Sequence, residues 1–261
     1  MFIATVQLFQ LSLNPAYYWF VFLATLTSYS LHWFFTNDIY DTISEILPGQ
    51  FRALKNQQLK PILFIFFLLG SFALIFLLRS YPISFTYILP AAIATLFYTA
   101  PKIPAFNKLE GKALGKTIYL SAIWVYVTVL LPFECANQKM HASAWWYLIC
   151  QFCFVYIICL LFDYRDQQKD KLNYVLLNTI KHFDIILIVI SLVFHFALFC
   201  FYANTHQLYY SLGLLFSYLF LLLTMSISKK SQSDYWFYLI LDGLMCLPSL
   251  VGVIFQYLLN K

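Results

Sequence analysis

Charge is what this sequence has least of. Only 10% of its 261 residues are Asp, Glu, Lys or Arg, against about 25% in an ordinary soluble domain. That shortage excludes a soluble globular fold. No polar linker long enough to separate two domains occurs, so the chain reads as a single domain over residues 1–261. Residues 1–13 contain no Lys or Arg and so lack the positive n-region of a cleavable signal peptide. The short alternating segments of a membrane β-barrel are also missing. The six cysteines fall mostly inside apolar runs. Cys150 and Cys153 form a C-x-x-C within one such run, where small core- or lipid-facing residues are a better reading than a metal or redox pair.

What the chain does have is apolar surface. Hydrophobic residues make up 62% and aromatics 21%. Apolar runs of about 20 residues, the length of a membrane-crossing helix, recur along the whole sequence. They predict helices over 16–36, 61–79, 82–100, 117–133, 143–162, 183–201, 207–227 and 235–259. Met1–Leu13 is apolar but too short to cross a hydrocarbon core of about 30 Å, and Asn14-Pro15 breaks the chain after it. The expected fold is therefore an all-α integral membrane protein with eight full helices and a short or truncated first one.

The connections differ in charge. Segments 37–60, 101–116, 163–182 and 228–234 hold thirteen of the sixteen Lys and Arg; the others hold only Arg79 and Lys139, with Lys261 at the end. The positive-inside rule places the basic set in the cytoplasm. Topology alone accounts for the net charge of +5, and no nucleic-acid partner is needed to explain it.

Two of the basic connections begin with acids. Asn37-Asp38-Ile39-Tyr40-Asp41 continues to Glu45, placing Asp38, Asp41 and Glu45 at i, i+3 and i+7. Asp163, Asp166 and Asp170 repeat that spacing, which lines side chains along one helix face. Each set directly follows an uncharged run, Tyr17–Thr36 and Trp145–Phe162. Six of the chain's eleven acids sit in these two sets, and the topology puts both on the cytoplasmic side. Gathered acids repel and need cations. Mg²⁺ is hard, binds oxygen and is usually shared between one or two carboxylates and substrate phosphates. Two opposed carboxylate faces suit Mg²⁺ and a diphosphate.

These residues carry a family resemblance. Asn37-Asp38-x-x-Asp41-x-x-x-Glu45 resembles the first motif, N-D-x-x-D-x-x-x-D, of the UbiA family of intramembrane prenyltransferases. Asp163-Tyr164-Arg165-Asp166-x-x-x-Asp170 is similar to the second, D-x-x-D-x-x-x-D. Tyr98-Thr99-Ala100-Pro101-Lys102 resembles the Y-x-x-x-K segment between them. The likeness covers about residues 16–259. It implies a bundle of about nine transmembrane helices around a central cavity. The implied reaction moves a prenyl group from an isoprenyl diphosphate to a lipophilic acceptor, aromatic or a quinone precursor, in a bacterial inner (cytoplasmic) membrane. By the same resemblance Asp38, Asp41, Asp163, Asp166 and Asp170 hold Mg²⁺, and Glu45 reaches it through water. Asn37, Tyr98, Lys102 and Arg165 are the diphosphate-binding candidates, with Lys102 also assisting catalysis.

The sequence departs from the family pattern at three places: Glu45 replaces Asp, Phe162 stands where relatives carry Asn, and the N-terminal segment is short. Two competing classes follow. One is a transporter of divalent cations or lipid diphosphates; the other is an inactive scaffold of the same fold. Asp242 lies inside the last run, where an intramembrane acid is a functional candidate, but Gly243 and Pro248 also point to a kink there. His32, one turn before Asn37, is a candidate cavity or packing residue, and His195 has no ligand spacing. Trp145-Trp146 and Tyr209-Tyr210 fit interfacial aromatic belts.

Overall fold

The structure, a computed structural model, describes residues 1–35, 56–81, 85–99, 113–170, 175–202, 208–228 and 236–259. Every regular element among them is helical. Among the described residues, four helices are long and apolar enough to cross a membrane: Lys60–Ser80, Thr117–Cys135, Ala142–Phe162 and Leu208–Met225. Shorter apolar helices cover Thr86–Thr95, Ile188–Tyr202 and Leu247–Leu258. The described residues are all-helical, with helices suited to a membrane, as the composition leads one to expect.

The helices group into two compact units. One is Leu13–Lys116; the other joins Met1–Ser12 to Thr117–Lys261. In the Leu13–Lys116 unit, α2 (Ala16–Phe34) packs along α3 (Asn56–Ser80), with α4 (Phe85–Thr99) beside α2. Gly70 allows the close approach, since a Cβ there would run into the Thr27 hydroxyl. Phe34 meets Phe64 at a centroid distance of 5.5 Å.

The other unit begins with α1 (Phe2–Leu8), a short helix with Ala4, Thr5, Val6 and Leu8 all buried. It ends in a Schellman motif: Leu11 N–H donates to the Val6 carbonyl and Gln10 N–H to that of Gln7. The motif forces Gln10 into the left-handed region, at φ 51°. α5 comprises Ala113–Val125, a π-helical turn Tyr126–Leu130 and Leu131–Cys135, and it ends the same way with Asn137 at φ 51°. α6 (Ala142–Asp170), α7 (Val175–Tyr202) and α8 (Leu208–Ser228) follow. The final segment is α9, a π turn Trp236–Leu241 running into Asp242–Leu244, and then α10 (Leu247–Leu259).

Two elements differ from the sequence expectation. Residues 163–182 read as a long loop, yet α6 continues to Asp170 and α7 already begins at Val175. No Gly or Pro occurs between 163 and 182, so nothing stops helix propagation where the apolar run ends. The last run reads as one span over 235–259 with a kink; instead it breaks at Met245–Cys246. Pro248 has no N–H for the carbonyl one turn back. Around the break the bonding tightens, with Met245 N–H reaching the Asp242 carbonyl and Cys246 N–H that of Gly243.

A helix break frees carbonyls that need partners. α1 does part of this. The Met1 nitrogen donates to the Met245 carbonyl at 2.9 Å and to Ser249 Oγ at 3.2 Å, while Ala4 N–H donates to Ser249 Oγ at 3.1 Å. The core around this junction contains Phe154, Ile157, Ile158 and Leu161 of α6, Tyr218 and Leu221 of α8, and Phe237, Leu241 and Leu244 of α9.

Candidate active site

The acid-bearing helix is set by its apolar length. Ala142–Phe162 is the part of α6 that suits a membrane, and its core face is almost closed: Ile158 is 0% exposed and Leu161 3%. The helix does not end there. It carries Asp163, Arg165, Asp166 and Asp170 on the same uninterrupted backbone. The i, i+3, i+7 spacing thus falls on a real helix, over about two turns at 3.6 residues each. Carboxylates supply oxygen donors only, the type that hard Mg²⁺ prefers.

The other candidates are distributed as follows. Tyr98 lies on the last turn of α4. Asn37, Asp38, Asp41, Glu45 and Lys102 lie outside the described residues. The first acidic motif and Tyr98 belong to the Leu13–Lys116 unit; Asp163–Asp170 belong to the other. Among the described residues no group of three His, Cys, Asp or Glu is placed to hold a metal ion.

In the same unit as Asp163–Asp170, buried polar side chains on α1, α6, α7 and α8 face one another. Tyr147 and Thr5 hydroxyls lie 3.0 Å apart. Thr5 donates onward to the Met1 carbonyl at 3.3 Å, so Tyr147 is the donor to Thr5. His195 Nδ1 lies 2.8 Å from the Ser191 carbonyl. A carbonyl only accepts, which assigns the proton to Nδ1. The imidazole stacks on Tyr218 at 4.3 Å and 14°, and the Tyr218 hydroxyl donates to the Ile188 carbonyl at 2.8 Å. Gln151 is 0% exposed, and neither amide atom has a hydrogen-bond partner.

Sequence reasoning passed over this layer. Its signal was available: a lone Gln or His near the centre of an apolar run faces protein more often than lipid. The C-x-x-C is inert packing, with Cys150 and Cys153 both buried and free. Tyr210 is not a belt residue. It is 4% exposed, with its ring against Gly252 and its hydroxyl donating to Gln256 Oε1 at 2.7 Å. Trp145 and Trp146 are about half exposed, as belt residues are.

Asp242 sits at the break, half-buried. Its depth is fixed by its neighbours. Phe237 meets Phe162 at 5.3 Å and 66°, and Leu241 and Leu244 enter the core shared with α6.

Compared with known proteins, the chain matches no family model, no curated protein and no solved structure. The described residues define a class: helices suited to a membrane, one of which continues into a stretch that carries Asp163, Asp166 and Asp170.

Proposed function

We propose that this protein is an intramembrane prenyltransferase of the UbiA type. It transfers a prenyl group from an isoprenyl diphosphate to a lipophilic acceptor, aromatic or a quinone precursor, with Mg²⁺ as cofactor. The supporting observation is the continuity of α6 from a buried apolar stretch through Asp170, which gives Asp163, Asp166 and Asp170 the i, i+3, i+7 spacing on one helical backbone. In this reading nine spans surround a central cavity, and both acidic motifs lie on the cytoplasmic side of a bacterial inner membrane.

When bound, Mg²⁺ neutralises the charge that develops on the departing diphosphate. Asp163, Asp166 and Asp170 would hold it from α6, and Asp38 and Asp41 from the first motif, with Glu45 through water. Lys102 and Arg165 would contact the diphosphate as cations, with Asn37 and Tyr98 as neutral partners. The aromatic-rich interior would shelter the prenyl tail and exclude water from the electrophilic carbon.

The test is purified protein with Mg²⁺, a panel of isoprenyl diphosphates and membrane lipid extract, read by mass spectrometry. A new species heavier by the prenyl mass is expected. Release of diphosphate without such a species, or no turnover of any donor, overturns the reading.

A second reading draws on the broken last helix. Discontinuous membrane helices often form the ion and substrate sites of transporters. A transporter of divalent cations or lipid diphosphates would carry Mg²⁺ into liposomes without any prenyl donor; the prenyltransferase would not.

A further inference from the structure

We propose that the face of α3 turned away from α2 is a lipid-contact surface, covered by the acyl chains of both bilayer leaflets. The inference concerns the Leu13–Lys116 unit alone and is independent of the prenyl-transfer reading. Of the four membrane-suited helices, α3 is the least covered. Its apolar stretch Lys60–Ser80 is 6% buried, against 61% for Ala142–Phe162 of α6.

α3 devotes one narrow stripe to packing. Leu63, Phe67, Gly70, Leu74 and Leu77 follow one another at spacings of four and three, and each is buried or half-buried. Such spacing keeps to one side of a helix. Gly70 identifies the neighbour on that side, since a Cβ there would run into the Thr27 hydroxyl of α2. The largest exposures on α3 are those of Phe72, at 73%, and Phe76, at 67%. Phe72 is two positions beyond Gly70 and Phe76 six, so at about 100° per residue both rings turn away from α2.

Chemistry and length select lipid over a protein partner. Ile65, Leu69, Phe72, Ile75 and Phe76 are exposed, bulky and wholly apolar. Helices that pack within membranes use small residues where their backbones approach, and Gly70 and Ala73 are not among the exposed residues of α3. Residues 61–78 carry no charge, and a cation stands at each end, Lys60 and Arg79. Nineteen positions separate the two cations, about 28 Å along a helix at 1.5 Å per residue. A bilayer's hydrocarbon core is about 30 Å thick. Lys60 and Arg79 would then each reach the phosphates of one leaflet, with their stems along apolar surface.

The experiment places the full chain in phosphatidylcholine nanodiscs that contain one of two photoactivatable phospholipids, with a diazirine either at the acyl end or beside the glycerol. Illumination fixes the lipid to whatever it touches, and peptide mass spectrometry maps the label. The acyl-end probe should mark Leu69 and Phe72, near the middle of the stretch. The glycerol-side probe should mark Ile62 and Phe76, near its ends. Phe67 and Leu74, on the α2 stripe, should take several-fold less of either label. Protection of Phe72 and Phe76 while other helices are labelled would show that protein covers this face, and overturns the proposal. Labelling of Phe72 that falls as the number of chains per disc rises would assign the face to a second copy, with the same consequence. Equal marking of Phe72 by both probes would overturn the placement of Lys60 and Arg79 at the two phosphate levels.

Discussion

Phe162 and Phe237 meet near edge-on, with ring centroids 5.3 Å apart, one residue before the acidic row begins. Phe237 is 0% exposed, so truncation leaves a cavity that its neighbours cannot fill. Phe237→Ala should destabilise the protein by about 3–5 kcal/mol. Phe162 is only partly buried, and Phe162→Ala should cost clearly less. Thermal unfolding of both variants in one detergent checks the order. Equal losses would mean that the ring contact, and not burial, dominates.

Tyr210 and Gly252 define how α8 meets α10. A Cβ on Gly252 would overlap the Tyr210 ring, and one on Gly213 would come within 2.7 Å of the Pro248 carbonyl. Small residues at membrane helix contacts let backbones approach in this way. Gly252→Ala should therefore destabilise, and Tyr210→Leu should relieve most of that loss. The pair should be strongly non-additive, as contacting residues are. Tyr210→Phe alone removes the bond to Gln256 and should cost about 0.5–1.5 kcal/mol. Additive losses for Gly252→Ala and Tyr210→Leu would refute the packing account.

Gln151 buries an amide without a hydrogen-bond partner in the middle of α6. Leaving such a group unsatisfied costs about 1–3 kcal/mol. Gln151→Leu, close in volume and apolar, should raise stability by a similar amount. Gln151→Glu should lower it, because it places a charge at the same depth. A fall in melting temperature for Gln151→Leu would show that the amide has a stabilising partner in the folded membrane state.

Some of this was readable in the sequence and some was not. Spans such as 143–162 and 207–227 were legible, because an uncharged run of about twenty residues has few alternatives to a membrane helix. The acidic row was legible as a spacing, and α6 supplies the helix that gives the spacing meaning. The helix beyond Phe162 was hidden, since polarity ends the apolar signal but does not end a helix that lacks Gly and Pro. Asp242 was visible as an anomaly. Its setting was not, because the break depends on α1 supplying partners to Met245 and Ser249 from the other end of the chain. Gln10 was invisible too: nothing local marks a Gln that a Schellman motif drives to φ 51°. Gln10→Gly should stabilise the protein slightly, by about 1 kcal/mol.

The last prediction asks whether the two acidic motifs act as one. If Asp38 and Asp163 hold the same diphosphate through shared Mg²⁺, neither side binds the donor well alone. Mg²⁺ and donor must then raise each other's affinity by the same factor. Asp38→Asn and Asp163→Asn should each weaken donor binding by more than tenfold, about 1.4 kcal/mol. The double variant should be little worse than either single one, since one lost side already opens the clamp and residues acting as a unit are not additive. Lys102→Ala removes a direct phosphate contact instead. It should weaken donor binding while leaving most of the Mg²⁺ dependence in place. Calorimetric titration of a non-hydrolysable isoprenyl diphosphate analogue across a Mg²⁺ series separates these outcomes. Donor affinity that ignores Mg²⁺ would show that the acids do not work through the metal. Asp→Asn effects that simply sum would show two independent sites, and the shared-diphosphate mechanism would fail even if each motif binds a cation by itself.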